Sequence, residues 1–160
     1  MRSFSGARKG PARGRKYSMA TLQVEKLKSG SVFEDKYSYS RAVVVDNWIL
    51  VANTAGRHYQ TREISDDAAQ QARQCLANVE GALKAVGSGF ADVVRSRVFI
   101  PNLADKDAVM HVIAEAFRGV DPASTITATP LAGPEYLVEI EVTAYRGAGE
   151  AQTKRIDVTL

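Results

Sequence analysis

Short apolar runs in the first third of the chain predict β-strands. Apolar and polar residues alternate over residues 22–28, which is typical of an edge strand, and a Ser-Gly-Ser sequence ends that pattern. Two apolar, β-branched runs follow at residues 40–45 and 48–52, separated by a single Asp-Asn pair. A connection of this kind between two such runs predicts a β-hairpin.

The clearest element is an amphipathic helix between residues 65 and 87. Its apolar side chains recur at helical spacing: Ala72, Cys75, Leu76, Val79, Leu83 and Val86. Ser65 is a favourable N-cap, and two aspartates follow it in the first turn, where carboxylates suit the helix dipole. Gly87 offers the C-terminal stop.

The second half of the chain alternates between strand and helix patterns. Residues 93–100 predict a strand and residues 105–117 a second helix, and residues 124–129 and 137–145 predict two further strands. This order predicts an α/β fold of the α+β type, with a mixed sheet that carries two helices on one face. Because the other face lacks cover, we expect the chain to associate with itself.

The composition is that of a globular protein with one domain. Of the 160 residues 45% are apolar and 24% charged, and no apolar run approaches the roughly 18 residues of a membrane span. The one cysteine excludes an intrachain disulfide, and the two histidines are too far apart in sequence for a metal-ligand motif. We therefore expect a cytoplasmic protein that has no bound metal and does not enter membranes.

The net charge of +3 comes from the start of the chain. Residues 1–19 hold six of the 21 basic residues and no acidic one, so 15 basic residues remain against 18 acidic ones and the rest of the chain carries −3. A mildly acidic body makes nucleic-acid binding an unfavoured function. The leader is expected to be disordered, and three interpretations stay open: a true start at Met19, a basic tail, or a transit peptide.

Two predicted strands carry charged residues at alternate positions. Glu139 and Glu141 share one side of the last strand, where a half-shielded carboxylate can act as a general base, unless that side is simply solvated. Arg95 and Arg97 show the same spacing on another strand, and Phe99 continues their face. The two arginines are suited either to bind a substrate carboxylate or, as we favour, to pair with the glutamates across strands.

The segment 53–59 follows the predicted hairpin and is rich in hydrogen-bond donors, so it is suited to line a pocket or to form a surface turn. His58 in this segment is a candidate ligand-binding residue. Cys75 lies on an apolar helical stripe and is expected in the core, whereas His111 is expected in solvent. No nucleophile elbow, phosphate-binding loop or dinucleotide fingerprint is present, and no cofactor is expected.

Two stretches are distinctive as signatures. The run 67–79, DAAQQARQCLANV, and the run 122–141, which ends in Glu-Ile-Glu, resemble the first-helix and C-terminal signatures of the RidA (YjgF-type, endoribonuclease L-PSP-like) family. With Tyr39 and Asn47, the resemblance covers about residues 22–146. It implies a chorismate-mutase-like subunit, three of which form a homotrimer with a central barrel and ligand clefts between subunits.

The resemblance also implies a reaction. Deaminase-type members hydrolyse imines and enamines such as 2-aminoacrylate to 2-keto acids and ammonia without a metal or organic cofactor. Their site uses an arginine that clamps the substrate carboxylate, a glutamate that positions or activates water, and a tyrosine that orients the imine. Carried over residue by residue, Glu139 stands in the place of the glutamate and Tyr39 in that of the tyrosine.

Four positions depart from the family pattern. Ser124 follows Pro-Ala where the arginine is expected, and the loss of a bidentate cation leaves a carboxylate poorly held. Ala52 and Asn53 replace a Ser-Gly pair, and Ile126 replaces a small residue on the same side of the strand as Ser124. The pocket is therefore expected to be more apolar and more neutral, and the substrate to differ from 2-aminoacrylate.

Three hypotheses about function follow. The leading one is a divergent family member, with a domain at residues 20–148 and a tail at residues 149–160, that binds, or binds and hydrolyses, a larger imine, enamine or related small metabolite. Its candidate residues are Glu139 and Tyr39 for catalysis, and Ala52, Asn53, His58, Arg97, Phe99, Ser124 and Ile126 for ligand binding. The second is a non-catalytic metabolite sensor or partner-binding trimer. The third and least favoured is a ribonuclease or translation inhibitor.

Overall fold

The computed structural model describes residues 21–159, so the predicted leader at residues 1–19 lies outside the described part of the chain. The six strands are β1 (Val24–Leu27), β2 (Ala42–Val45), β3 (Trp48–Ala55), β4 (Val93–Ile100), β5 (Ala123–Ala128) and β6 (Glu139–Tyr145). The helices are α1 (Val32–Lys36), α2 (Ala68–Ala85) and α3 (Lys106–Ala116). After a 3-10 turn at Ala148–Glu150, residues 151–159 form neither helix nor strand.

The strands form one mixed sheet in the order β1-β2-β3-β6-β4-β5. All neighbours are antiparallel except β4 and β5, which are joined through α3 and run parallel. The predicted mixed sheet is therefore confirmed. Its core lies under α2, which packs on β3 and β6, and under α3, which packs beside α2. Cys75 lies in this core, where burial raises the pKa of its thiol.

The sheet face opposite the helices is largely uncovered and partly apolar. Trp48 and Leu50 of β3 are 48% and 49% exposed, and Tyr145 of β6, 38% exposed, lies across from Trp48 with the two rings edge to face at 5.0 Å. The edge strand β5 is exposed along its whole length. Large apolar side chains on one contiguous sheet face are typical of a surface that another molecule covers.

A β-bulge interrupts β3 where it pairs with β6. Val51 lies opposite Val142 and Thr54 opposite Ile140, so two residues of β3, Ala52 and Asn53, stand against the single residue Glu141. A bulge of this kind bends the strand and redirects a side chain. Here it directs the Asn53 side chain towards β6.

The structure moves the start of α2 from the predicted Ser65 to Asp67. The side chain of Asp67 accepts a 2.7 Å hydrogen bond from the N–H of Gln70, which makes Asp67 the N-cap. Ser65 is held in the preceding loop because its carbonyl accepts a 2.6 Å hydrogen bond from the side-chain amide of Gln71. Its hydroxyl accepts from the N–H of Asp67 instead.

Two further elements differ from the sequence prediction. α1 was not predicted, because five residues are too few to show a helical period; it depends on the burial of Glu34, which is 1% exposed. β3 continues past residue 52 to Ala55, so three of the seven residues of the segment 53–59 are strand rather than loop. The bulge interrupts the alternation of apolar and polar residues, so the sequence pattern did not predict that β3 extends to Ala55.

We predict that Gly56→Ala destabilises the protein. A Cβ at this position would lie 2.5 Å from the carbonyl oxygen of Gln71 and 2.6 Å from its Cα, both backbone atoms of α2. We expect a loss of about 1–3 kcal/mol in the free energy of unfolding, measured by denaturant titration. Gly81→Ala is the matched control, because the added Cβ meets nothing within 4 Å and alanine favours a helix by up to about 1 kcal/mol. Equal stability of the two variants would contradict the close approach of Gly56 to α2.

Candidate functional site

A cavity of about 430 Å³ lies at the end of the uncovered sheet face, between the α1 region, β3 and the loop before β6. Its wall combines aromatic, arginine and carboxylate side chains. The lining residues are Ser31, Phe33, Tyr37, Tyr39, Arg41, Asn53, Ala55, Arg57, Tyr59, Arg62, Ala132, Glu135, Tyr136 and Glu139. A concave site with a few convergent polar groups among aromatic rings is typical of a small-molecule site.

Glu139 is one of two carboxylates that line the cavity, the other being Glu135. It alternates along β6 with the buried Ile140 and so lies on the face that the helices leave uncovered. The bulge brings the side-chain amide of Asn53 within hydrogen-bonding distance, and this amide donates to Oε2 of Glu139. Burial raises the pKa of Glu139, against the opposing effects of Arg41 and of the Asn53 hydrogen bond. A half-buried carboxylate with a raised pKa is suited to exchange protons with a ligand.

Arg41 is a buried cation in the wall of the cavity, with 6% of its surface exposed. Its Nη1 donates two 3.1 Å hydrogen bonds, to the carbonyl of Asn53 and to the hydroxyl of Thr54. Its Nε lies 3.4 Å from the carboxylate of Glu34, yet within the described residues this Nε makes no hydrogen bond. The guanidinium is therefore anchored on one side and incompletely satisfied on the other.

Aromatic side chains form much of the cavity wall. The guanidinium of Arg41 lies 5.8 Å from the ring centre of Tyr39 and 5.7 Å from that of Tyr59, within the range of cation–π interactions. The rings of Phe33 and Tyr37 are parallel, with an angle of 3° and centres 6.0 Å apart. The hydroxyl of Tyr59 is buried with no hydrogen-bond partner among residues 21–159, and burial raises its pKa.

The loop before β6 closes the opposite side of the cavity. Glu135 of this loop forms a 3.2 Å ion pair with Arg57, whose guanidinium lies 5.6 Å from the ring centre of Tyr136. Gln71, fully buried in α2, holds the loop through its side-chain amide, which donates to the Glu135 carbonyl at 2.8 Å and accepts from the N–H of Leu137 at 2.9 Å. The loop is thus attached to the helix layer rather than free in solvent.

The structure brings together three of the sequence-predicted site residues: Glu139, Tyr39 and Asn53 all line the cavity. Ala52 stands beside Asn53 in the bulge but is not a lining residue. His58 belongs to the donor-rich segment but lies outside the wall, where its Nδ1 accepts a 3.2 Å hydrogen bond from the N–H of Thr61.

The other predicted residues lie elsewhere on the sheet. Arg97 forms a 2.7 Å ion pair with Glu141 directly across the strands, the structural pairing that the sequence favoured. Phe99 is the β4 residue opposite Glu139 and does not line the cavity. Ser124 and Ile126 lie on the exposed edge strand β5, where Ser124 accepts a 3.1 Å hydrogen bond from the hydroxyl of Ser96.

Sequence reasoning missed Arg41, whose positive charge opposes the rise in the pKa of Glu139. A charged residue directly before a buried strand predicts a solvated end, and nothing local indicates that it turns inward. The signal was Glu34, a charged residue seven positions earlier, which only the folded segment between them brings into contact. Tyr59 and Arg57 were seen only as members of the donor-rich segment 53–59.

The described residues place limits on other kinds of site. Between residues 21 and 159 no three His, Cys, Asp or Glu side chains cluster as a metal ion would require. The same part of the chain holds no helix that is both long and apolar enough to cross a bilayer.

Comparison with known proteins identifies the family. The model described as endoribonuclease L-PSP matches residues 29–146. The chain belongs to the RidA/YjgF family. Several relatives are similar over nearly their whole length, among them an uncharacterised protein of Streptomyces coelicolor, 30% identical, for which the alignment covers 81% of this chain and 98% of the relative.

Other members of the RidA/YjgF family show what the resemblance includes. Human 2-iminobutanoate/2-iminopropanoate deaminase is 29% identical, with 68% of this chain and 80% of that protein aligned. A crystal structure of a YjgF/YER057c/UK114 family member from Mycobacterium tuberculosis is 36% identical, with a TM-score of 0.71 over 77% of this chain and 99% of the other. The predicted family and fold class are therefore confirmed.

We predict that Asn53→Ala raises the pKa of Glu139 further in this RidA/YjgF protein. The substitution removes a hydrogen bond to the ionised carboxylate, which the amide of Asn53 stabilises. The measurement is a titration of the glutamate carboxyl carbons by NMR, with Glu139 assigned from a Glu139→Gln spectrum. Asn47→Ala, an exposed change in the turn between β2 and β3, should leave the titration unchanged. An Asn53→Ala titration identical to that of the parent would show that the hydrogen bond does not act on Glu139.

Proposed function

We propose that this RidA/YjgF protein binds a small imine or enamine in the cavity around Glu139 and hydrolyses it to the carbonyl compound and ammonia. The observation that carries the proposal is the half-buried Glu139 with its raised pKa, held by Asn53 in an aromatic-lined cavity. The printed names of relatives such as the human protein support the same reaction class. A cytoplasmic setting, with no cofactor taking part, completes the proposal.

The reaction needs one proton donor and acceptor near the C=N carbon. In the proposed mechanism the carboxylate of Glu139 takes a proton from water as the water oxygen bonds to the imine carbon, and Glu139 then gives that proton to the imine nitrogen. In the resulting carbinolamine Glu139 takes the hydroxyl proton and passes it to the amino group, so that the C–N bond breaks, ammonia leaves and the C=O bond forms. Tyr39, which lines the same cavity, would orient the imine.

The proposal includes a homotrimer in which a neighbouring subunit closes the cavity. Its support is the uncovered sheet face, which carries Glu139 at one end and the exposed apolar residues Trp48 and Leu50 at the other. In such an assembly β5, with Ser124 and Ile126, is the strand available to meet the cavity of a neighbour. The serine in place of the family's arginine would then make the substrate differ from 2-aminoacrylate.

We expect Glu139→Gln to lower turnover by about 10²–10⁴-fold while the fold and the assembly stay intact, since glutamine preserves shape and accepts from Asn53 but cannot take a proton. The assay follows ammonia release above the uncatalysed rate from 2-imino acids generated in situ by an amino acid oxidase. Glu115→Gln, exposed on α3, is the control.

Each alternative has its own outcome in that assay. Full activity in Glu139→Gln would exclude Glu139 as the base. Binding of a metabolite without turnover in the parent protein would favour the sensor hypothesis. Turnover should also fall as the pH drops through the raised pKa of Glu139, because protonation removes the base.

Leu50→Glu should convert the trimer to smaller species, because it places a charge on the apolar sheet face. The measurement is the mass in solution, expected at three times the 17.3 kDa of the chain for the parent protein. Leu103→Glu makes the same chemical change at a more exposed leucine, 67% against 49%, in the turn before α3 and away from that face, and should leave the mass unchanged. A monomeric parent, or a trimeric Leu50→Glu, would refute the proposed interface.

A further inference from the structure

We propose that Arg41, with the hydroxyl of Tyr59, is the anion-binding group of this cavity, and that the ligand is a 2-imino acid with a large planar side chain. This inference rests on the proposed function and names its substrate class. Because Ser124 leaves the usual arginine position without a cation, the carboxylate of the ligand needs another partner. Arg41 and Tyr59 are both lining residues of the cavity that contains Glu139.

The Arg41 side chain has donors that make no hydrogen bond within residues 21–159. A guanidinium has five N–H donors, and buried donors are almost always paired. Within the described part of the chain, the side-chain hydrogen bonds of Arg41 all leave from Nη1, towards the carbonyl of Asn53 and the hydroxyl of Thr54. Nε has none with any described residue, although it lies 3.4 Å from the Glu34 carboxylate, which accepts hydrogen bonds of 2.8 and 2.6 Å from the N–H and hydroxyl of Ser29.

Tyr59, whose ring lies beside Arg41, carries a second donor that is unpaired among residues 21–159. The Tyr59 hydroxyl is buried without a partner in the described residues, and its ring lies 5.7 Å from the Arg41 guanidinium. An unpaired buried hydroxyl destabilises the free protein, and an arriving acceptor would remove that penalty. Both side chains also border a smaller cavity of about 280 Å³ beside α2, so they have room to adjust to a ligand. In the proposed complex the two side chains shift so that the two oxygens of one carboxylate accept a hydrogen bond from each.

The cavity is larger than a small imino acid requires, and its wall carries several aromatic rings. A three-carbon imino acid would fill only a small part of the volume of about 430 Å³ that one subunit offers before a neighbour closes the cavity. Beyond Arg41 the wall includes several rings, among them the parallel rings of Phe33 and Tyr37 and the ring of Tyr136. Rings of this kind gain most from a planar apolar group, through stacking and edge-to-face contacts. The C=N group of such a ligand would then lie between its anchored carboxylate and Glu139.

The test measures binding rather than turnover, so it can fail separately from the proposed reaction. The probes are phenylpyruvate, pyruvate, and phenylacetone, which has the ring and carbonyl group of phenylpyruvate without its carboxylate. Titration calorimetry on the assembled protein should show phenylpyruvate binding at least about 10-fold more tightly than either of the others. Phenylacetone lacks the charge-assisted contact and pyruvate lacks the buried ring, and each of these is worth about that factor or more.

Two variants assign the binding to the named residues. Tyr59→Phe removes only an unpaired hydroxyl, so it should leave the melting temperature unchanged or higher and weaken phenylpyruvate binding about 10-fold. Arg41→Lys retains a charge beside Glu34 but loses the guanidinium fork, and should weaken phenylpyruvate at least as much while leaving phenylacetone little changed. Arg73→Lys, exposed on α2, is the matched control.

The binding results distinguish failure of this inference from failure of the proposed reaction. If phenylpyruvate binds the parent and both variants equally, Arg41 and Tyr59 are not the anion-binding group, whatever the result of the hydrolysis assay. If Arg41→Lys does not fold, Tyr59→Phe alone decides. Pyruvate binding as tightly as phenylpyruvate would refute the large planar side chain, and no binding of any probe would refute the inference as a whole. Tight phenylpyruvate binding lost in Tyr59→Phe supports it even if the protein hydrolyses nothing.

Discussion

The contact between Glu34 and Arg41 is the interaction on which the cavity depends. Both side chains are almost fully buried, at 1% and 6% exposed, and two hydrogen bonds from Ser29 fix the carboxylate. The pair connects α1 to the start of β2, and through Nη1 of Arg41 it connects both to the bulge in β3. Removing one member of a buried ion pair costs about 3–5 kcal/mol, because the other charge stays behind unpaired. The wall of the cavity is thus tied to the sheet by charge rather than by apolar packing.

The position of Glu139 follows from a second constraint, the extra residue in β3. Without the bulge, Asn53 would continue the strand alternation, and its amide would not be directed to the carboxylate two strand positions away. Gln71 acts similarly from the helix layer, since it fixes the loop that carries Tyr136. Polar contacts at three places therefore position the cavity, and the apolar core beneath provides a rigid base.

Periodicity predicted those elements that bury an apolar face. α2 shows its stripe at Cys75 and Val79 so clearly that only its first residue was misplaced, and the mixed sheet followed from the spacing of the strands. α1 and the inward position of Arg41 were not predictable in this way. Both rest on a contact between charged residues seven positions apart, and no hydrophobic pattern records such a contact. Glu139, Tyr39 and Asn53 were identified from the resemblance or from their strand positions. The arginines and the other aromatic residues of the cavity could be identified only from the structure.

The two edge strands of the sheet, β1 and β5, differ in how well they resist aggregation. β1 is short and carries a glutamate and a lysine, which discourage pairing with another strand. β5 is longer, exposed at all six residues, and has the uncharged sequence ASTITA with three β-branched side chains. An uncharged β-branched edge invites edge-to-edge aggregation of newly made chains. In the proposed homotrimer this edge meets a neighbouring subunit. We therefore expect the concentration of unassembled subunits, rather than the stability of each subunit, to govern how much protein stays in solution.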